Sequence, residues 1–202
     1  YDALDNRIYS SGGVKVFNPI DSTWISISNP EALPGNAPNA SVWSLVFDEN
    51  GYLWILNAYG IRTYEQYTYD EVNKTITLTP FTDGLNNPIG FLSHISYQKG
   101  NRIRVDSQDN KWIITHQGIW IIQKSFPNYW PSEEGLHPEN SGLLSNVVYD
   151  VAFDNEQGLA YIATDKGISI LHIPFANNPS KKQSMYISPN PFIIPDDERV
   201  II

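Results

Sequence analysis

Short apolar stretches alternate with polar turns along the whole chain, and three segments repeat one pattern. Each copy reads as an apolar strand, an Asp turn, a strand with an aromatic residue, a polar corner, a glycine and another apolar strand. The first strands of the copies are Val42–Phe47, Ile103–Val105 and Val148–Phe153. The stretches are too short and too irregular for a helical period, so the pattern predicts β-strands. The aromatic residue precedes the corner glycine by six residues in every copy: Trp54 and Gly60, Trp112 and Gly118, Tyr161 and Gly167.

A partial copy, Ile8–Phe17, opens the chain and places Gly13 at its corner. The four corner glycines are then 47, 58 and 49 residues apart. This period suits four-stranded β-propeller blades of about 40–50 residues each. The longer middle interval predicts an extended outer hairpin near 64–79. The segments Trp24–Ser28 and Thr75–Thr79 are predicted to be outer strands.

The sequence therefore predicts an all-β chain of antiparallel propeller blades, about three complete and one partial. We expect the partial blade at 1–30 and the others at roughly 40–80, 95–131 and 146–175, within a blade region 1–180. Closed propellers need at least four blades, and an open arc leaves sheet edges exposed, which proteins avoid. We therefore expect the chain to be a fragment of a larger propeller or to pack against another chain.

The repeated polar positions have a structural interpretation. The turn residues Asp48, Asp106 and Asp154 can each bond their own backbone two residues on. The corner glycine permits the tight reversal between the second and third strands, and valine in place of Gly118 is expected to impair folding. We therefore interpret the repeated carboxylates as structural rather than catalytic.

The copies resemble the two-component-regulator propeller repeat, in which a D-x-x-G turn precedes an aromatic strand and a T-x-x-G corner. The corners Thr115–Gly118 and Thr164–Gly167 match this pattern, while Asn57 replaces Thr in the first complete copy. The segment Asn140–Val147 is similar to the connector between blades of this family. The resemblance implies a propeller that serves as a binding module and not as an enzyme.

The tail Tyr186–Phe192 contains a P-N-P-F sequence. It resembles the start of the small β-sandwich domain that ends many proteins of the type IX (Por) secretion pathway, so 181–202 is expected to begin such a domain. Together the repeat and the tail resemble the C-terminal part of a propeller protein associated with that pathway. The resemblance implies the cell envelope of a Gram-negative bacterium, in the periplasm or on the outer surface. Implied partners are proteins of the secretion machinery and lipopolysaccharide or oligosaccharide.

Two alternatives stay open. The chain also fits the extracellular ligand-sensing propeller of a hybrid two-component sensor, which binds oligosaccharides. A glycan-active enzyme on a propeller is a third reading, because this fold hosts several chemistries. The P-N-P-F tail favours the secretion-associated protein.

Composition argues against several classes of function. A net charge of −9 disfavours nucleic acid, which needs a basic surface, and no apolar run reaches the roughly 18 residues of a membrane span. The chain has no cysteine, and its histidines lack the spacing of metal ligands. We expect no metal, no cofactor and no nucleotide site.

The candidate binding residues lie mainly at the corners before the glycines. They differ between copies while their frame is constant, which is typical of a binding surface on a rigid scaffold, although ordinary loop variation gives the same pattern. Trp120 replaces polar residues of the other copies, so it either contacts a partner or covers a neighbouring strand. These candidates are Tyr59, His116, Gln117, Trp120, Asp165 and Lys166.

A second candidate site lies on the inner strands. Ser44, Arg102 and Asp150 each precede their turn Asp by four residues, so they are expected at the same depth around the central axis. Because an unpaired buried charge is costly, Arg102 is predicted to pair with Asp150 or to reach water in the central channel. Arg102 and Arg104 together would form a basic spot for an anionic sugar or phosphate.

Overall fold

The computed structural model describes residues 7–10, 14–18, 22–70, 72–125 and 128–174. This part of the chain is built almost wholly of short β-strands, with one four-residue helix, α1 (Pro138–Ser141), and 3-10 turns at Pro30–Ala32 and Pro34–Asn36. The predicted all-β propeller fold is confirmed. The predicted sandwich segment 181–202 lies outside the described residues.

Blade 1 and blade 2 come first in the chain. Blade 1 consists of β1 (Arg7–Ser10), β2 (Val14–Asn18) and β3 (Thr23–Ile27). Blade 2 consists of β4 (Val42–Phe47), β5 (Leu53–Asn57), β6 (Gly60–Asp70) and β7 (Thr75–Pro80). Consecutive strands within each blade pair antiparallel. The long β6–β7 hairpin confirms the outer hairpin predicted near 64–79.

The outer strands of blades 1 and 2 pair in parallel, which the repeat pattern does not predict. Ser26 and Ile27 of β3 lie opposite Thr75 and Ile76 of β7. Beyond β3, the N–H of Ser28 donates to the carbonyl of Ile76 at 2.7 Å. The extended hairpin of blade 2 reaches far enough at the rim to satisfy the edge of β3, so the two blades share one sheet.

Blades 3 and 4 follow as separate sheets. A short strand, β8 (Gly90–Phe91), first pairs with β6. Blade 3 consists of β9 (Arg102–Val105), β10 (Lys111–Thr115), β11 (Gly118–Ile122) and β12 (Tyr129–Trp130). Blade 4 consists of β13 (Val148–Asp154), β14 (Leu159–Thr164) and β15 (Gly167–His172). Both sheets are antiparallel, with the strands in the predicted order.

The hydrophobic core lies between the blades. One cluster joins blades 1 and 2 around Ile25 and Ile55, and a second joins blades 2 and 3 around Leu56 and Ile113. The third joins blades 3 and 4 and includes Trp112. Every residue of β10 and β11 is buried, because blade 3 is covered on both faces.

The turn aspartates have the predicted role. The Oδ1 atom of Asp48 accepts from the N–H of Asn50 at 3.0 Å and of Tyr52 at 2.9 Å. Its Oδ2 atom accepts from the indole N–H of Trp54 at 3.0 Å, a bond that sequence reasoning did not foresee. Asp106 repeats this arrangement with Trp112, and Asp154 bonds its own turn backbone. The aspartates therefore fix the turn and, in two blades, the aromatic residue of the next strand.

The corner glycines have the predicted left-handed backbone. Gly60, Gly118 and Gly167 have φ values of +133°, +129° and +126°. At Gly118 space is also short, because an added Cβ atom would lie 2.6 Å from the carbonyl oxygen of Leu136. Glycine is thus required at these corners by conformation, and at Gly118 by packing as well.

Candidate binding surfaces

The inner-strand positions meet across the blade junctions. Arg102 of β9 donates from Nη1 to Oδ2 of Asp150 on β13 at 3.0 Å. The hydroxyl of Ser44 on β4 accepts from the backbone N–H of Ile103 at 3.0 Å. Of the two alternatives predicted for Arg102, the structure shows the pairing with Asp150, and Ser44 contacts the strand of Arg102 at the junction before it.

Arg104 makes the stronger contact with Asp150. Its Nε and Nη2 atoms donate to the two carboxylate oxygens at 2.9 Å each, a fork geometry that fixes orientation. This hydrogen bonding lowers the pKa of Asp150 below its ordinary value. Residues two apart on a strand share a face, so the spacing of Arg102 and Arg104 could have revealed the shared partner.

We call Arg102, Arg104 and Asp150 the arginine cluster. Its two cations and one anion leave one net positive charge on a chain whose overall charge is −9. The side chains are 38–46% exposed, so the ion pairs contribute little to stability and stay accessible to solutes. Only three hydrogen bonds join these guanidinium groups to Asp150, while each guanidinium carries five N–H donors.

The corner of blade 3 rests on the connector that precedes its blade. The imidazole of His116 is hydrogen-bonded to the side chain of Gln98, and Gln117 donates from Nε2 to the carbonyl of Ser96 at 2.9 Å. The ring of Tyr149 stands edge-on to His116 with centroids 6.0 Å apart. These bonds hold the imidazole and the amide in place at the junction with blade 4.

The other two corners lie against their own connectors in the same way. Tyr59 is 65% exposed and packs against Gly35, where an added Cβ would lie 2.4 Å from the tyrosine Cβ. At blade 4, the N–H of Asp165 donates to the carbonyl of Val147 at 3.2 Å, while the Asp165 and Lys166 side chains are exposed. The three corners thus present different side chains on one backbone frame, each next to a connector.

Trp120 lies apart from the other candidates. It is 4% exposed, and its indole N–H donates to the carbonyl of Glu133 at 3.0 Å. Its ring meets His137 edge-on with centroids 5.2 Å apart. The indole borders an open hollow with His94 and Glu134, but the burial favours the interpretation that it covers a neighbouring strand.

A buried charged group at the junction of blades 2 and 3 was missed by sequence reasoning. The ammonium of Lys111 lies 2.9 Å from Oδ2 of Asp109 and 3.4 Å from Oδ2 of Asp48, over the ring of Trp54. Burial raises the pKa of Asp109, although Lys111 partly offsets this. Leu53 and Ala160 occupy the equivalent position in blades 2 and 4, so the lysine that interrupts an apolar pattern was the available signal.

The described residues hold neither a metal cluster nor a membrane-spanning helix. Within the described ranges, no group of three or more His, Asp or Glu side chains is arranged to hold a metal ion. No helix in those ranges is long and apolar enough to cross a membrane.

The chain is similar to several solved structures. No model of a protein family matches it, and no curated protein does. One similar solved structure is PorZ, a surface component of the type IX secretion system of Porphyromonas gingivalis, with 18% identity, a TM-score of 0.49, and coverage of 85% of this chain and 31% of PorZ. Another is the extracellular domain of a B. thetaiotaomicron protein classed as a one-component system, with 15% identity, a TM-score of 0.55, and coverage of 84% and 20%.

A third similar structure is the extracellular domain of a protein classed as a hybrid two-component system of B. thetaiotaomicron, at 17% identity and a TM-score of 0.45. It is covered to 18% by this chain, so the chain spans less than a third of each of the three. The first and the third of these structures belong to the two kinds of protein that the repeat resembles. At such identities the similarity to these structures shows the fold alone. The evidence for the fold is the similarity to the one-component-system domain, whose TM-score is 0.55.

Proposed function

We propose that the chain is a non-catalytic β-propeller binding module of a Gram-negative cell-envelope protein associated with type IX (Por) secretion. One observation carries the binding role. The corners of blades 2, 3 and 4 share one backbone geometry, with φ near +130° at each glycine, yet carry different side chains. A rigid frame with variable side chains is what a recognition surface needs.

The link to secretion and to the envelope rests on the sequence. The tail Tyr186–Phe192, which follows the blades, resembles the start of a sorting domain of that pathway. We call the surface formed by the corners of blades 2, 3 and 4 the corner surface. Proteins of the secretion machinery are then its partners. The arginine cluster is proposed to bind anionic groups of lipopolysaccharide or another surface polysaccharide, since guanidinium groups match carboxylate and phosphate geometry.

Site-directed photo-crosslinking in the native host tests the protein partner. A photoreactive amino acid replaces exposed Gln117 at the corner of blade 3, and a matched variant carries it at Val72, which is 90% exposed on the outer hairpin. We expect crosslinks to a secretion component from position 117 and none from position 72. Equal crosslinking at both positions, or none at either, would contradict the corner surface as the docking site.

Binding to purified lipopolysaccharide tests the arginine cluster. Arg102→Ala with Arg104→Ala is expected to weaken binding at least roughly fivefold, the effect of losing charged hydrogen bonds. Asp150→Asn removes the competing carboxylate and is expected to tighten binding. Lys99→Ala, at an exposed lysine outside the cluster, is the control. If all variants bind like the unaltered chain, the cluster is only a clamp between blades.

A sensor of oligosaccharides is the second candidate function. The observation that favours it is the fold similarity to the extracellular domain of the one-component-system protein, the highest of the TM-scores given above. The two candidates differ in ligand. A sensor module binds a soluble oligosaccharide without conversion and needs no secretion component, whereas release of cleaved sugar would contradict both non-catalytic proposals.

A further inference from the structure

A cavity of about 140 Å³ lies between blades 2 and 3. Aromatic rings form much of its wall: Tyr52 and Phe81 pack edge-on with centroids 5.0 Å apart, and Trp54 packs on Phe91 with centroids 4.8 Å apart. Exposed Asn50 and Lys124 also line it and mark where it meets solvent. It is separate from the corners and from the arginine cluster.

The repeat explains why the cavity exists at this junction. Thr63 is the third residue after its corner glycine, and the equivalent positions of blades 3 and 4 carry Ile121 and Ile170. Ile121 is fully buried at the next junction along the chain. The smaller threonine leaves space that isoleucine fills elsewhere.

Thr63 also leaves a polar atom without a partner. The residue is 3% exposed, and its hydroxyl makes no hydrogen bond although it lines the cavity. Buried hydroxyl groups are nearly always hydrogen-bonded, because burial without a partner costs stability. Isoleucine, the residue at the equivalent positions of blades 3 and 4, would leave no such group, so packing alone does not account for threonine at this position.

The charged groups of the wall are already engaged. The carboxylate of Asp48 accepts from its own turn and from Trp54, and the ammonium of Lys111 is held by Asp109 and Asp48. Lys124 forms an ion pair with Glu49. A charged ligand would have to displace one of these pairs. The uncharged part of the wall is mainly aromatic, with polar side chains of Asn50, Gln123, Tyr52 and Thr63 beside the rings. The wall therefore selects a small neutral ring.

We propose that this cavity is a binding site for a single-ring, mainly apolar small molecule that carries one hydroxyl group. Apolar cavities of about 150 Å³ take one benzene-sized molecule, which matches the volume here. The ring would lie among Trp54, Phe81 and Phe91, and its hydroxyl would bond the hydroxyl of Thr63. This site is independent of the proposed secretion and polysaccharide functions.

Titration of the whole chain with phenol and with benzene, followed by NMR and calorimetry, tests the proposal. We expect saturable binding of both, with phenol tighter. Thr63→Val is expected to weaken phenol roughly fivefold, the equivalent of one hydrogen bond, and to leave benzene unchanged or tighter. Thr68→Val, at an exposed threonine of the same strand, is the control and should leave both affinities unchanged.

A filled variant separates the cavity from surface binding. Thr63→Ile restores the residue type of the other blades and is expected to abolish saturable binding of both probes while the fold is kept. Non-saturable binding, binding that persists in Thr63→Ile, or phenol affinity unaffected by Thr63→Val would each overturn the proposal. So would a cavity occupied by water that neither probe displaces.

Discussion

Blades 3 and 4 share one repeat but differ in how their faces are covered. In blade 3, Ile119 and Ile121 of β11 are fully buried because blade 4 packs on them. The equivalent residues of blade 4, Ile168 and Ile170 of β15, are 66% and 62% exposed. The repeat thus encodes an apolar face in each blade, and neighbouring blades decide whether it becomes core.

Blade 4 has an exposed apolar face, which is relevant to the open arc of blades expected from the sequence. Contiguous exposed apolar residues on a sheet are typical of an interaction site. Tyr161 on β14 is 37% exposed, whereas its counterpart Trp112 is fully buried, and Tyr161 belongs to the same face as Ile168 and Ile170. That a further blade or another chain covers this face stays a prediction.

The largest expected difference between the blades comes from one charged substitution placed at equivalent positions. Ile121→Asp buries a carboxylate without a partner and is expected to destabilise by at least about 4 kcal/mol, a large fraction of a typical domain's stability. Ile170→Asp is expected to change stability by less than about 1 kcal/mol, because the residue is exposed. Urea denaturation measures both, and equal losses would contradict the difference in covering.

Alanine at the corner glycines is the next test. Both Gly118 and Gly167 have φ near +130°, so each substitution strains the backbone by about 1–3 kcal/mol. Gly118→Ala adds a clash with the Leu136 carbonyl, whereas an added Cβ at Gly167 would lie 3.4 Å from Leu144 Cδ1. Thermal unfolding should show a clearly larger loss for Gly118→Ala. A smaller loss there than at Gly167 would contradict the packing at this corner.

The aromatic strand residues should also differ. Trp112→Phe removes the indole N–H that donates to Asp106 at 2.8 Å and leaves space in the core, for an expected loss of about 1–3 kcal/mol. Tyr161→Phe removes a hydroxyl from a partly exposed ring and is expected to cost less than about 0.5 kcal/mol. Chemical denaturation measures the free energy of unfolding of the two variants. A large loss of stability in Tyr161→Phe would contradict the exposure of this face.

The smallest expected effect is the pH dependence of the ion pairs that join blade 4 to blade 3 through Asp150. Because the pKa of Asp150 is lowered in the folded chain, its contribution is present above the ordinary carboxyl value near 3.9 and is lost as pH falls below it. Asp150→Asn should therefore lower stability slightly at pH 6, and its difference from the unaltered chain should shrink as the pH falls below the ordinary carboxyl value. Asp109 has a raised pKa and acts in the opposite sense, but it is the same in both proteins. If the difference in unfolding free energy between Asp150→Asn and the unaltered chain does not shrink towards pH 3, the ion pairs of Asp150 do not stabilise the fold.

Much of the fold could be predicted because each repeated residue has one local role. The turn role of Asp106 and the positive φ of Gly118 follow from single residues, and the pairing of Arg102 with Asp150 follows from counting along the repeat. The parallel pairing of β3 with β7 could not be predicted, since it depends on how far the long hairpin reaches in space.

The candidate sites were less predictable. The variable corners could be located from the sequence, but the burial of Trp120 depends on the connector that folds over it. Lys111 lies in a different blade from Asp48, so their contact depends on blade stacking. The cavity beside Thr63 depends on several rings from two blades meeting at one point.

Thiol labelling tests the stacked-blade account most directly, because the chain has no cysteine of its own. Single-cysteine variants Ile121→Cys and Ile170→Cys are exposed to a thiol reagent under native conditions. The account predicts that Ile170→Cys reacts at least about a hundredfold faster, since Ile121→Cys reacts only after the blades open. Equal rates of labelling at the two positions would contradict it.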